Sequence, residues 1–249
     1  KSGSMTTGMG TTGLDKPQSI AIDSATGDFF VANKGDTMVK INYSDLKVDS
    51  TWSSGEYTGT GNCKIDDVLE LRIHGGKIYV ISNDKNRIFR LDLTTAACDW
   101  NNAITDPRAM DIQNNILYAF GNNMKIYDLS SGTPSQISCN YNSTLKTVGK
   151  NAVSAAVDSS GNNLYLFQGG KIHRFEIQAN KCPKTSRAKK INTSIGNAYS
   201  MRFQPGSDTI FYAVKYWDRF FKFTLSSNKN SFSSTVSKGS YAGSVASTA

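Results

Sequence analysis

One pattern returns five times in 249 residues, and it constrains the fold more than any other feature. The runs "GDFFVAN" from Gly27, "GKIYVIS" from Gly76, "NILYAFG" from Asn115, "NNLYLFQ" from Asn162 and "DTIFYAV" from Asp208 place Phe30, Tyr79, Tyr118, Tyr165 and Phe211 in register, at intervals of 49, 39, 47 and 46 residues. A shorter run precedes each: "SIAID" from Ser19, "ELRIH" from Glu70, "AMDIQ" from Ala109, "AAVDS" from Ala155 and "SMRFQ" from Ser200. A third follows each, such as "IFRLDL" from Ile88 and "MKIYDL" from Met124. Between them stand tight-turn residues, Ala25-Thr26-Gly27, Gly75-Gly76, Asn114-Asn115 and Ser160-Gly161-Asn162, which supply positive φ and favour hairpins. A weaker, polar fourth run closes the unit, as in "KVDSTW" from Lys47 and "FSSTVS" from Phe232.

Four antiparallel strands recurring about every 45 residues describe a β-propeller blade, a small sheet that buries its faces only against its neighbours. The expected fold is therefore all-β: a propeller of four-stranded antiparallel blades, with five blades countable and six if a unit is missing. The blades span approximately 13–60, 67–105, 106–149, 150–196 and 197–240 within a single domain, 1–249. Almost no segment has helical periodicity. The Gly, Ser, Thr and Asn that crowd the gaps, with 11 Tyr and 12 Phe, fit short strands and many turns. No apolar stretch approaches the length needed to cross a bilayer, so the chain reads as soluble.

The formal net charge of +8 suits an anionic partner, but the densest basic run, "KCPKTSRAKK" from Lys181, reads as a solvated loop because of its Pro and Ser. Four cysteines, Cys63, Cys98, Cys139 and Cys182, allow two disulfides in three pairings. None forms a CxxC. Each follows the third strand of a different unit, where sulfurs of neighbouring blades can approach. Cys63 with Cys98 and Cys139 with Cys182 is the expected pairing, with four free thiols as the alternative. Sequons at Asn42, Asn142 and Asn192 fall in turn-like sequence suited to glycosylation. Lys1 opens the chain without an initiator Met or a leader, as in a processed product or a fragment. Cysteines and sequons together lead to the expectation of a secreted or extracellular protein.

Within the second unit, Tyr79-Val80, Asn83-Asp84-Lys85-Asn86-Arg87-Ile88 and Leu91-Asp92 resemble the strand-loop-strand core of NHL-type propellers. Elsewhere the element is degraded: "NKGDTMVKI" lacks the Arg and "GNNMKIYDL" shortens the loop. That family usually makes six blades, and the resemblance implies single-stranded RNA binding as one function. Trp217-Asp218 matches the dipeptide of WD40 repeats, without its accompanying Gly-His.

Catalysis needs a nucleophile-base pair or a metal constellation, and neither is visible. The two histidines, His74 and His173, fall at different depths of different blades. Asp23 and Asp158 precede turns that an Asp side chain stabilises, which leaves Asp111, inside a first strand, as a lone carboxylate. No phosphate-binding Gly-rich loop is present, and no cofactor or metal is expected. The candidate ligand-binding face is formed by the second-to-third-strand and blade-to-blade loops. It gathers Lys34, Lys85, Arg87, Arg108, Asn123, Lys150, Lys215, Tyr216 and Trp217. A basic rim with an aromatic pair suits an anionic group and a stacked ring. The expected function is a non-catalytic extracellular module binding a protein or an acidic glycan. An RNA-binding propeller and a lactonase-like hydrolase are the alternatives.

Overall fold

The computed structural model describes residues 14, 16–34, 36–141, 143–192, 198–203, 207, 209–214, 219–225 and 232–233, with side chains up to 184 and at 200–203, 207 and 209–210. The chain divides into two compact units, Lys1–Gln136 and Ile137–Ala249.

The first unit holds three antiparallel sheets. β1 (Pro17–Ile22), β2 (Phe29–Asn33) and β3 (Thr37–Ile41) form a three-stranded meander. β4 (Val68–His74), β5 (Lys77–Ser82), β6 (Arg87–Asp92) and β7 (Cys98–Ala103) form the second sheet, and β8 (Ala109–Gln113), β9 (Ile116–Phe120), β10 (Lys125–Asp128) and β11 (Ser135–Gln136) the third. In the second unit, α1 (Ser143–Lys150) precedes β12 (Ser154–Val157), β13 (Asn163–Gln168), β14 (Lys171–Ile177) and β15 (Pro183–Asn192). A last sheet follows: β16 (Ala198–Phe203), β17 (Thr209–Val214), β18 (Arg219–Leu225) and β19 (Phe232–Ser233). The register read from the sequence is the register of the fold. Phe30, Tyr79, Tyr118, Tyr165 and Phe211 each sit in a second strand, paired with Lys40, Arg90, Ile126, Arg174 and Lys222 of the third.

Second strands are continuously apolar because both of their faces are covered. In β5, Ile78 and Val80 face a core shared with Phe30, Ala32 and Met38 of the first sheet and with Trp52 beyond it. Tyr79 and Ile81 face Met110, Leu117, Ala119 and Tyr127 of the third, closed by Trp100 edge-on to Tyr127 at 4.9 Å. Each fully buried side chain of this size contributes roughly 1.5–3 kcal/mol. In the second unit the ring of Tyr165 meets Phe203 edge-on at 5.2 Å.

First strands lie at the edges of their sheets, so alternate N–H groups point away from the ladder and need another acceptor. A side chain on the neighbouring first strand supplies it. Ser19 Oγ accepts from Leu71 N–H at 2.9 Å, and Glu70 Oε2 accepts from Met110 N–H at 2.5 Å. In the second unit Ser154 Oγ accepts from Met201 N–H at 2.9 Å. The donors Leu71, Met110 and Met201 occupy one register, opposite Val80, Ala119 and Tyr212. We term these contacts latches.

Three expectations change. "KVDSTW" is not a fourth strand: residues 42–67 hold only two isolated bridges, Ile41 with Val48 and Met38 with Tyr57, a distorted 3-10 turn at Trp52–Gly55 and another at Gly61–Cys63. The chain turns out of the sheet because Asp49 Oδ1 accepts from the backbone N–H of Thr51 and Trp52, and Ser53, Ser54 and Gly55 then adopt positive φ. The run from Lys181 is not a loop; most of it is β15, paired with β14, and an outer strand tolerates polar sequence. Finally, α1 buries Leu145 and Val148 in a stretch too short to show periodicity.

Two disulfides join Cys63 to Cys98 and Cys139 to Cys182, with Cα atoms 6.3 and 5.7 Å apart. They close spans of 35 and 43 residues, each worth about 4 kcal/mol in the chain-entropy picture.

Candidate binding surface

In the first unit the loops leaving the second strands are stitched to the connections between sheets. In the loop Asn83-Asp84-Lys85-Asn86, Asn86 takes φ 51°, a left-handed conformation that Asn tolerates, and its N–H donates to Asn83 O at 2.9 Å. Asn86 also fixes the connection from β7 to β8: its carbonyl accepts from Ile104 N–H at 2.9 Å and its Oδ1 from Asp106 N–H at 2.7 Å. The third sheet holds the same connection, with Thr105 N–H donating to Asn123 Oδ1 at 2.5 Å and Asn122 N–H to Thr105 O at 2.8 Å. Gly121 permits this approach, since a Cβ there would stand 2.6 Å from Thr105 O and 2.7 Å from Asp106 O. On the other side Asp67 accepts from Asn83 Nδ2 at 3.1 Å and from Gln18 Nε2 at 3.2 Å.

Three of the basic side chains expected here have partners. Lys85 Nζ lies 2.8 Å from Asp66 Oδ2, and Arg108 Nη2 lies 2.8 Å from Asp106 Oδ1. Arg87 Nη1 donates to Asn101 Oδ1 at 2.8 Å. The hydrogen bond from Lys85 holds the Asp66 carboxyl below its ordinary value. Asp84 is raised, by desolvation first and then by the charges of Asp66 and Asp67. Asp36, in the turn after β2, adds to the negative field at Lys85. The surface is thus of mixed charge and densely hydrogen-bonded.

Lys85, Arg87, Arg108 and Asn123 are brought together by these loops, and Lys34 is exposed in the turn that also holds Asp36. Lys150 is the exposed last residue of α1, in the second unit. Lys215, Tyr216 and Trp217 lie outside the described residues. Sequence reasoning missed the carboxylates that answer the basic groups. Asp106 stands two residues before Arg108, but Asp66 is nineteen residues from Lys85 and left no local signal. Asn42 sits in the turn after β3, where its carbonyl accepts from Leu46 N–H; Asn142 and the side chain of Asn192 lie outside the described residues.

The remaining polar candidates have structural partners. Asp23 and Asp158 bond their own turns, Asp23 Oδ1 accepting from Ala25 N–H at 3.1 Å and Asp158 Oδ1 from Asn162 N–H at 2.9 Å. Asp111 Oδ1 accepts from Arg72 Nε at 3.0 Å, and Arg72 Nη2 donates to Glu70 Oε1 and to Met110 O, each at 2.8 Å. His74 Nε2 lies 2.7 Å from Asn115 Oδ1, and His173 is in β14. Among the described residues no group of three His, Cys, Asp or Glu could hold a metal ion. No described helix is long and apolar enough to cross a membrane.

No family model matches the chain, and no curated protein matches it either. Solved structures do. Kuenenia stuttgartiensis hydrazine synthase aligns with a TM-score of 0.64 at 13% identity, over 90% of this chain and 68% of that one. A functionally unknown protein from Desulfotomaculum acetoxidans gives 0.62 at 12%, over 88% and 72%. The β-propeller domain of Myceliophteria thermophila Cps50 (Swd1) gives 0.61 at 9%, over 86% and 67%. The likeness is one of fold. It supports a propeller-like arrangement of five sheets, while the NHL-type resemblance rests on sequence, sharpest over Tyr79–Asp92 of the second repeat.

Proposed function

We propose that this chain is a non-catalytic, extracellular recognition module of the β-propeller type that binds a protein partner through its loop face. The face comprises Lys34, Lys85, Arg87, Arg108 and Asn123 of the first unit; Lys150, Lys215, Tyr216 and Trp217 of the second are proposed separately as ligand contacts. The observation that carries this reading is the pairing of Lys85 with Asp66 and of Arg108 with Asp106. Charges answered in place, on loops whose backbones are fixed to one another, fit the mixed-charge rim of a protein interface better than the continuous positive field a polyanion requires. Two disulfides support an oxidising compartment, which favours this reading over intracellular RNA binding.

The test compares ligand classes. Against heparin and single-stranded RNA the native protein should bind weakly, with a shallow dependence on salt despite its net charge of +8. Against a panel of extracellular proteins, a partner found for the wild type should be lost in the Lys85→Glu, Arg108→Glu double variant. A steep salt dependence on heparin or RNA, abolished by the same double variant, would replace the protein reading with a polyanion one.

A further inference from the structure

The segment 49–66 joins the first two sheets and is pinned at its ends, Asp49 to Lys40 and Asp66 to Lys85 and the Ser82 hydroxyl, yet between those ends it is held to the sheets by few bonds. One isolated bridge, Met38 with Tyr57, ties it to β3, and the Trp52 indole N–H donates to Leu93 O at 3.0 Å. The Tyr57 hydroxyl donates to Cys63 O at 3.0 Å, inside the segment itself. Five of its residues, Ser53, Ser54, Gly55, Gly59 and Gly61, hold positive φ. Gly59 is also in close approach, since a Cβ there would fall 2.1 Å from Cys63 O. The three glycines take that region without cost, but Ser53 and Ser54 do not, and with so little ladder the segment leans on its covalent tie. That tie is the Cys63–Cys98 bond to the start of β7.

That bond is also the more accessible of the two. Both of its cysteines line a solvent-open cleft of about 630 Å3, together with Ser53, Glu56, Thr58 and Thr60. Cys63 is buried but Cys98 is exposed, whereas in the other pair Cys182 is buried and Cys139 half-buried. Exchange requires a thiolate to reach a sulfur in line with the bond, so access decides which disulfide opens.

We propose that Cys63–Cys98 is a reducible clasp, opened by a small dithiol, whose reduction releases the segment 49–66 from the second sheet. One thiolate of the dithiol attacks Cys98 Sγ; the S–S bond breaks and its electron pair leaves with Cys63 Sγ, which takes up a proton. The second thiolate of the dithiol then attacks its partner sulfur in the mixed disulfide and displaces Cys98 as a thiolate. The protein disulfide is reduced by two electrons, and the dithiol is oxidised to its own disulfide. With the clasp open, Trp52 and Tyr57 are free to leave the core they share with Phe30 and Leu71.

The experiment titrates the native full-length chain with dithiothreitol, traps free thiols with N-ethylmaleimide and maps them by peptide mass, with hydrogen exchange on the same samples. Cys63 and Cys98 should be trapped at about tenfold lower reductant than Cys139 and Cys182. Exchange across 52–65 should then rise while β5 and β6 stay protected. Trapping of Cys139 and Cys182 first, or at the same reductant, overturns the proposal. So does unchanged exchange in 52–65 once Cys63 and Cys98 are free. Because the readout is taken on the wild type under titration, it does not depend on a cysteine variant folding.

Discussion

Two latches do the same geometric job with different chemistry. In the second unit Ser154 presents a neutral hydroxyl to Met201 N–H, and nothing charged is needed. In the first unit Glu70 presents a carboxylate to Met110 N–H, and burying that charge requires Arg72, whose guanidinium spans Glu70, Asp111 and the carbonyls of Leu71 and Met110. A buried carboxylate is tolerable only when paired and hydrogen-bonded, whereas a buried serine needs only a donor. The two sites therefore teach that the backbone geometry of the repeat fixes where an acceptor must stand, and leaves its chemistry open. Arg202 of β16 repeats part of the Arg72 pattern, with Nη1 donating to the preceding carbonyl, Met201 O, at 2.5 Å.

The difference should be largest when the charged latch loses its cation. Arg72→Met removes the cation that pairs with both Glu70 and Asp111 and should cost about 3–5 kcal/mol in urea unfolding, and replacing all three residues by apolar ones should recover most of that loss. A cost under 1 kcal/mol would show that the network is not what stabilises this interface. At the neutral latch, Ser154→Ala removes one acceptor from a buried N–H and should cost about 1–3 kcal/mol by the same measurement. An effect equal to that of Arg72→Met would erase the distinction between the two chemistries.

Acid provides a smaller, separate handle. The Thr51 hydroxyl, then the Thr51 and Trp52 backbone and Lys40, hold the Asp49 carboxyl at about 2 against an ordinary 3.8, and the backbone of Thr95 with Lys77 holds Asp92 lower still. A depressed folded-state value contributes stability that is present above the unfolded value and lost as pH falls through the folded one. The first unit should therefore weaken between about pH 4 and pH 2. Hydrogen exchange across β3 and β6 as pH falls would check this, with Asp49→Ala removing part of the loss.

The smallest effect is expected at Ile20. It occupies the register of Leu71 and Met110 but is 56% exposed, against 1% and 0%. Ile20→Ser should change stability by no more than about 0.5 kcal/mol. A loss near the 2–5 kcal/mol typical of a buried Leu→Ala would show that this face is covered in solution.

Much of the fold was legible because the second strands are buried on both faces and so carry an unbroken apolar signal around Phe30, Tyr79, Tyr118 and Tyr165. The cysteine pairing followed from the same map, since each cysteine comes after the third strand of successive repeats. The latches were not legible: Ser19, Glu70 and Ser154 look like ordinary polar residues until the pairing shows which N–H each one faces. Residues 42–67 misled for a related reason, because Asp49 and Trp52 bend the chain through side-chain bonds that leave no periodicity. At the loop face, the lysines and arginines drew notice as a net charge, while Asp66, nineteen residues from its partner Lys85, is found only through the fold.

Amide exchange at three residues is the most direct test of sheet-to-sheet coupling through the latches. Leu71, Met110 and Met201 lie on edge strands, and each donates its N–H to a side chain rather than to a strand. Resolved residue by residue by NMR, all three should exchange slowly in the wild type, and Met201 alone should speed up in Ser154→Ala. Fast exchange of these amides in the wild type, or no change at Met201 in the variant, would contradict the account.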